Sequence, residues 1–210
     1  PALSGGQPVN DAEVLVEQQI AKVAIAGAGM IGRPGVAAQM FSTLADAGIN
    51  IQMISTSEVK VSCVIDAAEC DRAIAALCDV FEVRQSGMRG QKTQIESIPA
   101  KTEGVPAAPP VRGVALDQNQ ARLAIRHIPD RPGMAARIFR LLADQKVSVD
   151  MIIQSQRCRV VDGVTTRDIA FTVAAIDADT ARMALENAAA ELGCGEITVD
   201  PEIAKVSIVG

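Results

Sequence analysis

The stretches RPGVAAQMF (33–41) and RPGMAARIF (131–139) are two copies of one pattern, and this pattern determines the predicted fold. In both copies a proline precedes a glycine, and apolar residues then recur at the spacing of an amphipathic helix. Proline suits the start of a helix because its φ is fixed and its missing N–H costs no hydrogen bond there. The same offset of 98 residues relates INIQMISTS (49–57) to VSVDMIIQS (147–155). The chain therefore contains two homologous units, A and B.

A second repeat relates the two ends of the chain. EVLVEQQIAKVAIAG (13–27) resembles EITVDPEIAKVSIVG (196–210) without a gap. We therefore expect residues 1–20 to be the tail of a preceding unit, and residues 201–210 to be the first strand of a following one. The alternative is that both ends are complementary edge strands.

Each unit has the same predicted order of elements, βαββαβ. In unit A (21–83) we expect a strand at 21–27, a helix from Pro34, strands at 49–54 and 59–65, a helix capped by Asp66 and a last strand at 80–83. In unit B (113–200) the corresponding elements are 121–126, 133–144, 147–153, 168–174, 179–192 and 196–199. This order predicts an α+β, ferredoxin-like fold with both helices on one face of an antiparallel sheet.

Residues 84–112 are rich in Gly, Pro, Lys and Gln, and this composition predicts an extended linker between the units.

Three glycines of unit A have the spacing of a dinucleotide-binding motif. Gly27, Gly29 and Gly32 follow a predicted strand with G-x-G-x-x-G spacing. Unit B has no glycine at these three positions, yet it retains Arg-Pro-Gly. The acidic residue that binds the ribose in such sites is also missing, because position 52 is Gln. The glycines therefore do not predict dinucleotide binding.

Composition excludes several classes of function. The net charge of −5 argues against nucleic acid as a partner. The apolar runs are too short to cross a membrane. Five cysteines without a C-x-x-C pair indicate a reduced, cytoplasmic protein with no zinc site. His127, the only histidine, lacks partners at catalytic or metal-binding spacing, so it is interpreted as structural and no catalytic or metal-ligating residue is predicted.

The Arg-Pro-Gly turn offers an anion site at the start of a helix. The N–H groups around Gly133, Met134 and Ala135 and the helix dipole favour a carboxylate. The neighbouring strand ends beside this turn and supplies Asp150 and Gln154. A carboxylate and an amide opposite a helix N-terminus suit a zwitterion, whose ammonium group would pair with Asp150. The alternatives are an ordinary helix start, a surface ion pair of Asp150 and plain strand-end residues.

The strings IPDRPGMAARIF in unit B and GINIQMISTSE in unit A resemble the paired ACT domains of the aspartate kinase family. The order of the units across a long linker is similar to the duplicated, four-ACT regulatory region of the cyanobacterial type. The resemblance implies that a parent enzyme phosphorylates L-aspartate with MgATP and that its ACT domains bind lysine or threonine. Nothing like the family's Lys-Phe-Gly-Gly motif occurs in this chain. We therefore expect the chain alone to be inactive and to need no cofactor.

The resemblance also implies an effector-binding pocket between a B-type and an A-type unit. Its residues would be Asp130, Gly133, Met134, Ala135, Asp150 and Gln154 from unit B, and Asn50, Ile51, Ser55, Thr56 and Ser57 from unit A. In the family each B-type unit pairs with the A-type unit that follows it, so the two units of this chain are expected to belong to different pairs. The B hairpin, QSQRCRVVDGVTTR, is longer than is usual and adds Arg157, Arg159 and Arg167 at the rim.

The expected partners follow from the same resemblance. They are L-lysine and/or L-threonine as effectors, and ACT domains of the same or another chain in a homo-oligomer, with neither nucleic acid nor membrane. Two alternatives remain open at this stage. The chain could be a stand-alone amino-acid sensor, or a module that only mediates oligomerisation through open sheet edges.

Overall fold

The computed structural model describes residues 18–27, 30, 33–57, 59–83, 113–154 and 158–209. The predicted linker 84–112, most of the predicted tail 1–20 and the fingerprint positions Gly29 and Gly32 lie outside the described residues.

The predicted order βαββαβ is present in unit B with one additional strand, and in unit A without its last strand. Unit A consists of β1 (Ile20–Ala26), α1 (Val36–Asp46), β2 (Met53–Ser57), β3 (Lys60–Asp66) and α2 (Cys70–Val80). Unit B consists of β4 (Gly113–Pro129), α3 (Met134–Asp144), β5 (Val149–Gln154), β6 (Arg159–Val161), β7 (Val164–Ala174), α4 (Ala178–Leu192) and β8 (Ile197–Val209). The prediction of a ferredoxin-like α+β fold in tandem is confirmed.

Two predicted strands of unit A differ from the structure. The strand predicted at 49–54 begins only at Met53, because the N–H of Ile49 donates to the carbonyl of Leu44 and closes the end of α1. The strand predicted at 80–83 does not form. There the N–H of Phe81 donates to Leu77 and that of Val83 to Cys78, so these backbone groups extend the end of α2 instead of joining the sheet.

The two units share one continuous antiparallel sheet with the strand order β1-β3-β2-β5-β7-β4-β8, and β6 adds to β7. The units meet at the β2–β5 pair, where Ser55 lies opposite Ile153. These two residues are equivalent under the 98-residue offset, so an approximate twofold axis passes between them. The expectation that units A and B belong to different pairs is wrong for this chain, because their edge strands pair directly.

The helices lie on one face of this sheet, and the central pair, α1 and α3, packs across the approximate twofold axis. Phe41 of α1 and Phe139 of α3 are equivalent residues, and their ring centroids are 5.3 Å apart. Phe139 also contacts Phe171 of β7 at 5.4 Å in an edge-to-face arrangement. All three side chains are buried. A single apolar core thus spans both units.

Glycine precedes each central helix because the backbone there is left-handed. Gly35 has a φ of 91° and Gly133 has a φ of 92°. A side chain at Gly133 would meet only the Cβ atom of Ala45, at 3.8 Å. The space is therefore sufficient, and the cost of a substitution comes from the backbone conformation.

The variant Gly133→Ala is expected to lower the free energy of unfolding by about 1–2 kcal/mol, because an L-residue is strained in this region. Urea unfolding followed by circular dichroism measures the change. Gly113→Ala is the control, since a Cβ atom there meets nothing within 4 Å and φ is not left-handed. Equal stability of the two variants would contradict this explanation.

Beyond the body of the sheet, β4 and β8 continue as a two-stranded ribbon from the Gly113–Val209 pair to the Asp117–Lys205 pair. Val114 lies opposite Ile208, and Leu116 lies opposite Val206. These four apolar side chains share one face of the ribbon and are 61–73% exposed. Among the described residues, no helix has the length and apolar character needed to span a bilayer.

Candidate functional site

Two cavities lie between the units, one at the start of each central helix. The α1 cavity has a volume of about 300 Å³. Unit A contributes to it Met30, Arg33, Gly35, Val36, Ala37, Ala38, Thr56, Ser57 and Val61; unit B and its ribbon contribute Gln120, Phe139, Val147, Ser148, Val149, Asp150, Ile152, Val173, Ala174 and Lys205.

The α3 cavity is the counterpart of the α1 cavity across the approximate twofold axis, but its volume is only about 20 Å³. It is lined by Phe41, Ile49, Asn50 and Ile51 of unit A and by Ile128, Pro129, Asp130, Arg131, Gly133, Met134, Ala135, Ala136, Gln154, Arg167 and Ile169 of unit B. A space of this size holds about one water molecule.

The residues predicted for one pocket are divided between these two cavities. Seven of them line the α3 cavity: Asn50, Ile51, Asp130, Gly133, Met134, Ala135 and Gln154. Three line the α1 cavity: Thr56, Ser57 and Asp150. Ser55 lines neither cavity and is exposed at the β2–β5 pair. The effector-binding role of all eleven residues stays a prediction.

Four features of the two cavities were not predicted as parts of a site: the start of α1, Ser148, Lys205 and the inward position of Arg167. The offset of 98 residues could have found the first two, because Gly35 corresponds to Gly133 and Ser148 corresponds to Asn50. Lys205 carries no such signal, since it reaches the cavity from the ribbon.

The start of each central helix is open to its cavity. The N-cap residues are the glycines Gly35 and Gly133, and no side chain of the described residues caps either helix. The first N–H groups of a helix have no intrahelical acceptor and carry the positive end of its dipole. Both cavities therefore present backbone donors suited to a carboxylate.

An ion pair fills the α3 cavity. The Nε atom of Arg167 donates to Oδ2 of Asp130 at 2.8 Å, and the two side chains are only 13% and 12% exposed. The second guanidinium arm of Arg167 donates to the carbonyl of Gln52 at 2.7 Å. Asn50 donates from Nδ2 to Oδ1 of Asp130 at 3.2 Å. Both oxygens of this carboxylate therefore have partners within the chain.

The α3 cavity nevertheless contains an unused acceptor. Within the described part of the chain, the Oε1 atom of Gln154 is buried and has no hydrogen-bond partner. Buried amide oxygens in folded proteins almost always accept a hydrogen bond. This oxygen is thus available to a donor that enters the cavity.

A β-bulge places Asp150 in the α1 cavity. Met151 has a φ of 47°, and the register of β5 against β7 shifts at this point. Oδ1 of Asp150 accepts from the N–H of Met151 at 2.8 Å, and Oδ2 accepts from Nζ of Lys205 at 2.9 Å. Bulges of this kind redirect a side chain next to a functional site. The carboxylate thus lies beside the start of α1 and is linked to the ribbon.

Thr56 is the other predicted residue of the α1 cavity with a defined partner. Its Oγ1 atom accepts a hydrogen bond of 2.7 Å from the N–H of Ile152 in the other unit. The threonine thus helps to join β2 to β5 at the edge of the cavity.

A second bulge, in β4 at His127, positions the backbone that leads to Asp130. His127 has a φ of 54°, and its N–H donates to Asp168 at 3.0 Å. Burial raises the pKa of the Asp168 carboxyl, but the hydrogen bonds from His127 and Arg126 and the charges of Arg126 and Arg159 outweigh burial and lower that pKa. Asp168 therefore remains ionised and holds the bulge.

The described residues contain no cluster of His, Cys, Asp and Glu that could bind a metal ion. All five cysteines are free thiols. Burial raises the pKa of the Cys63 thiol to about 12, so this thiol stays protonated in the core.

Comparison with known proteins shows the family of the two units. The ACT domain family matches residues 23–81 and again residues 122–190, which together make up more than half of the chain. The aspartokinase of Thermus thermophilus is 47% identical over 105 residues, which are 48% of this chain and 24% of that protein. The aspartate kinase of Pseudomonas fluorescens is 40% identical over 102 residues, which are 49% of this chain and 24% of that protein.

The crystal structure of the aspartate kinase from Synechocystis is similar over both units. It is 57% identical, with a TM-score of 0.81 over 96% of this chain and 32% of that chain. The chain thus spans about a quarter of the curated relatives and about a third of this solved structure. With two ACT domains and this likeness across nearly its whole length, the chain belongs to the ACT-domain family and is a regulatory ACT region of the aspartate kinase type.

Proposed function

We propose that this pair of ACT domains binds L-lysine and/or L-threonine, and that binding gives feedback inhibition of the ATP-dependent phosphorylation of L-aspartate to 4-phospho-L-aspartate. The observation that carries the proposal is the α1 cavity, where the uncapped start of a helix from one domain faces a carboxylate from the other. MgATP would be bound by the kinase domain of the parent protein, and the two ACT domains would act on that reaction through regulation.

The charges of the α1 cavity match those of a free amino acid. The α-carboxylate would accept hydrogen bonds from the N–H groups of Val36 and Ala37 at the positive end of α1. The α-ammonium group would pair with Asp150, in a charge-assisted hydrogen bond. A volume of about 300 Å³ is at the small end of ligand cavities, which suits a single amino acid.

Because the α1 cavity lies between two domains, an amino acid bound there can regulate the parent enzyme. A ligand held by α1 of one domain and Asp150 of the other binds best when the domains keep their present arrangement. It therefore stabilises this arrangement relative to any other that the parent enzyme adopts, and couplings of this kind are typically about 1–3 kcal/mol.

The link from Asp150 to the ribbon extends this coupling. Lys205 of β8 pairs with Asp150, so an ammonium group that binds Asp150 competes with Lys205. A change in the cavity thus reaches the ribbon directly.

The ribbon favours assembly as a second function of the same chain. Under the repeat between the chain ends, Val206 and Ile208 correspond to Val23 and Ile25 of β1. Val23 is buried beneath the helices of unit A, whereas Val206 is 66% exposed. The apolar face of the ribbon is thus the counterpart of a face that unit A covers with its own helices, and we expect another ACT domain to cover it in the same way.

Thermal unfolding of the chain with L-lysine, with L-threonine, with both and with L-alanine as control tests the proposal. A ligand at 100 times its Kd adds about 2.7 kcal/mol to the stability of the folded state. We expect an increase in Tm of several degrees with lysine or threonine and none with alanine. Unchanged Tm values with all four additions would contradict amino-acid binding by this pair and would leave assembly as its function.

A further inference from the structure

We propose that the guanidinium of Arg167 takes the place of a ligand's ammonium group and so closes the α3 cavity to amino acids. The two cavities are related by the approximate twofold axis, but only the α1 cavity is open to a ligand. The inference rests on the proposed amino-acid sites, but its test compares two forms of the chain and can fail independently of them.

Arg167 occupies the place that the ammonium group of a ligand would take. Its guanidinium binds Oδ2 of Asp130 and the carbonyl of Gln52, at 2.8 and 2.7 Å. An ammonium group would seek the same two acceptors, a carboxylate from one domain and a carbonyl from the other. Asn50 donates to the other oxygen of Asp130, so each carboxylate oxygen already has a donor and Arg167 neutralises its charge.

The position of Arg167 within β7 is unusual for a charged residue. It shares the core-facing side of the strand with Ile169, Phe171 and Val173, which are all buried. Alternate residues of a strand point to the same face. The side chain of Arg167 is therefore directed between the domains and not towards the rim, which was the position predicted from the long hairpin.

The equivalent position in unit A carries no charge. The strand pairings align Ile169 with Val61, so that Arg167 corresponds to Val59. The α1 cavity thus has no arginine from its own sheet, and its volume is about 300 Å³ against about 20 Å³ for the α3 cavity. Two cations, Arg33 before α1 and Lys205 from the ribbon, line the α1 cavity, and its volume with both in place is still about 300 Å³.

Exchange of this one residue is expected to open the α3 cavity. Arg167→Gln frees the carboxylate of Asp130 and the volume of the guanidinium, while the uncapped start of α3 and the Oε1 atom of Gln154 remain. Calorimetric titration of the full chain with L-lysine and L-threonine counts the amino acids bound per chain. We expect the variant to bind one more than the wild type, with the added event lost when Asp130→Asn is combined with it.

Arg122→Gln is the matched control, because it also breaks an arginine–aspartate pair, with Asp200, but neither residue lines the α1 or the α3 cavity. It should bind as the wild type does. An Arg167→Gln variant with the number of sites and the affinity of the wild type overturns the inference but leaves the proposed function intact. A variant that binds one amino acid where the wild type binds none supports the inference and contradicts the proposed function. Absence of binding to both contradicts both.

A second variant covers the case in which Arg167→Gln does not fold with Asp130 unpaired. Arg167→Lys keeps a cation for Asp130, but a single ammonium group on a shorter side chain does not span Asp130 and Gln52 in the same way. We expect this variant also to bind one amino acid more than the wild type. If the folded Lys variant binds no more than the wild type, the inference is overturned.

Discussion

Replacement of Phe139 by alanine is expected to lower the free energy of unfolding by about 3–5 kcal/mol, the range for removal of a buried phenylalanine. Its ring lies between those of Phe41 and Phe171, with centroid distances of 5.3 and 5.4 Å. The variant thus removes two aromatic contacts and creates a void where α1, α3 and the sheet meet. Chemical denaturation with circular dichroism detection measures the loss.

Ile176→Ala is the control for this prediction. Ile176 is 90% exposed, so its removal should change stability by less than about 0.5 kcal/mol. A loss of under about 1 kcal/mol in Phe139→Ala would contradict the close packing of this ring between Phe41 and Phe171.

Replacement of Asp150 by asparagine is expected to weaken amino-acid binding by a factor of about 30 or more, equivalent to about 2 kcal/mol. Asparagine keeps the shape of the side chain but removes the charge that pairs with the ammonium group. The ion pair with Lys205 is largely buried, so its loss should also destabilise the folded state. Titration calorimetry separates the change in binding from the change in stability.

Asp200→Asn provides the comparison for Asp150→Asn. It removes one carboxylate from an exposed ion pair with Arg122 and lines neither of the two interdomain cavities. We expect unchanged binding in this variant. Equal binding by the Asp150 variant and the wild type would show that the ammonium group has another partner.

The secondary structure of both units could be predicted because local chemistry specifies it. The Pro-Gly pair before each central helix, the apolar spacing of the helices and the alternation in the strands all predict the same elements. The predicted strand at 80–83 failed because a strand forms only where an edge is available for pairing, and a short apolar run carries no information about that edge. Its backbone groups closed α2 instead.

The pairing of the two units could not be inferred from side-chain patterns. It depends on backbone hydrogen bonds between β2 and β5, which any residues at those edges can form. The family resemblance implied one pocket between a B-type and an A-type unit, so residues of two cavities were combined in a single predicted site. The approximate twofold axis, which follows from the offset of 98 residues, separates them: Asp130 and Asn50 lie at one end, and Asp150 and Thr56 at the other.

Arg167 shows which part of the candidate site was present in the sequence but overlooked. The series Arg167, Ile169, Phe171 and Val173 has the period of two that places all four residues on one face of a strand. Because the hairpin is longer than usual, its arginines were predicted to lie at the rim of the pocket. The period assigns Arg167 to the interior, where the structure places it.

A crystal structure of the chain with the amino acid that raises its Tm most would test the central claim directly. We expect that amino acid in the α1 cavity, with its carboxylate at the N–H groups of Val36 and Ala37 and its ammonium group within hydrogen-bond distance of Asp150. The α3 cavity should remain occupied by Arg167. An amino acid bound beside Asp130 with Arg167 displaced, or bound outside both cavities, would contradict this account.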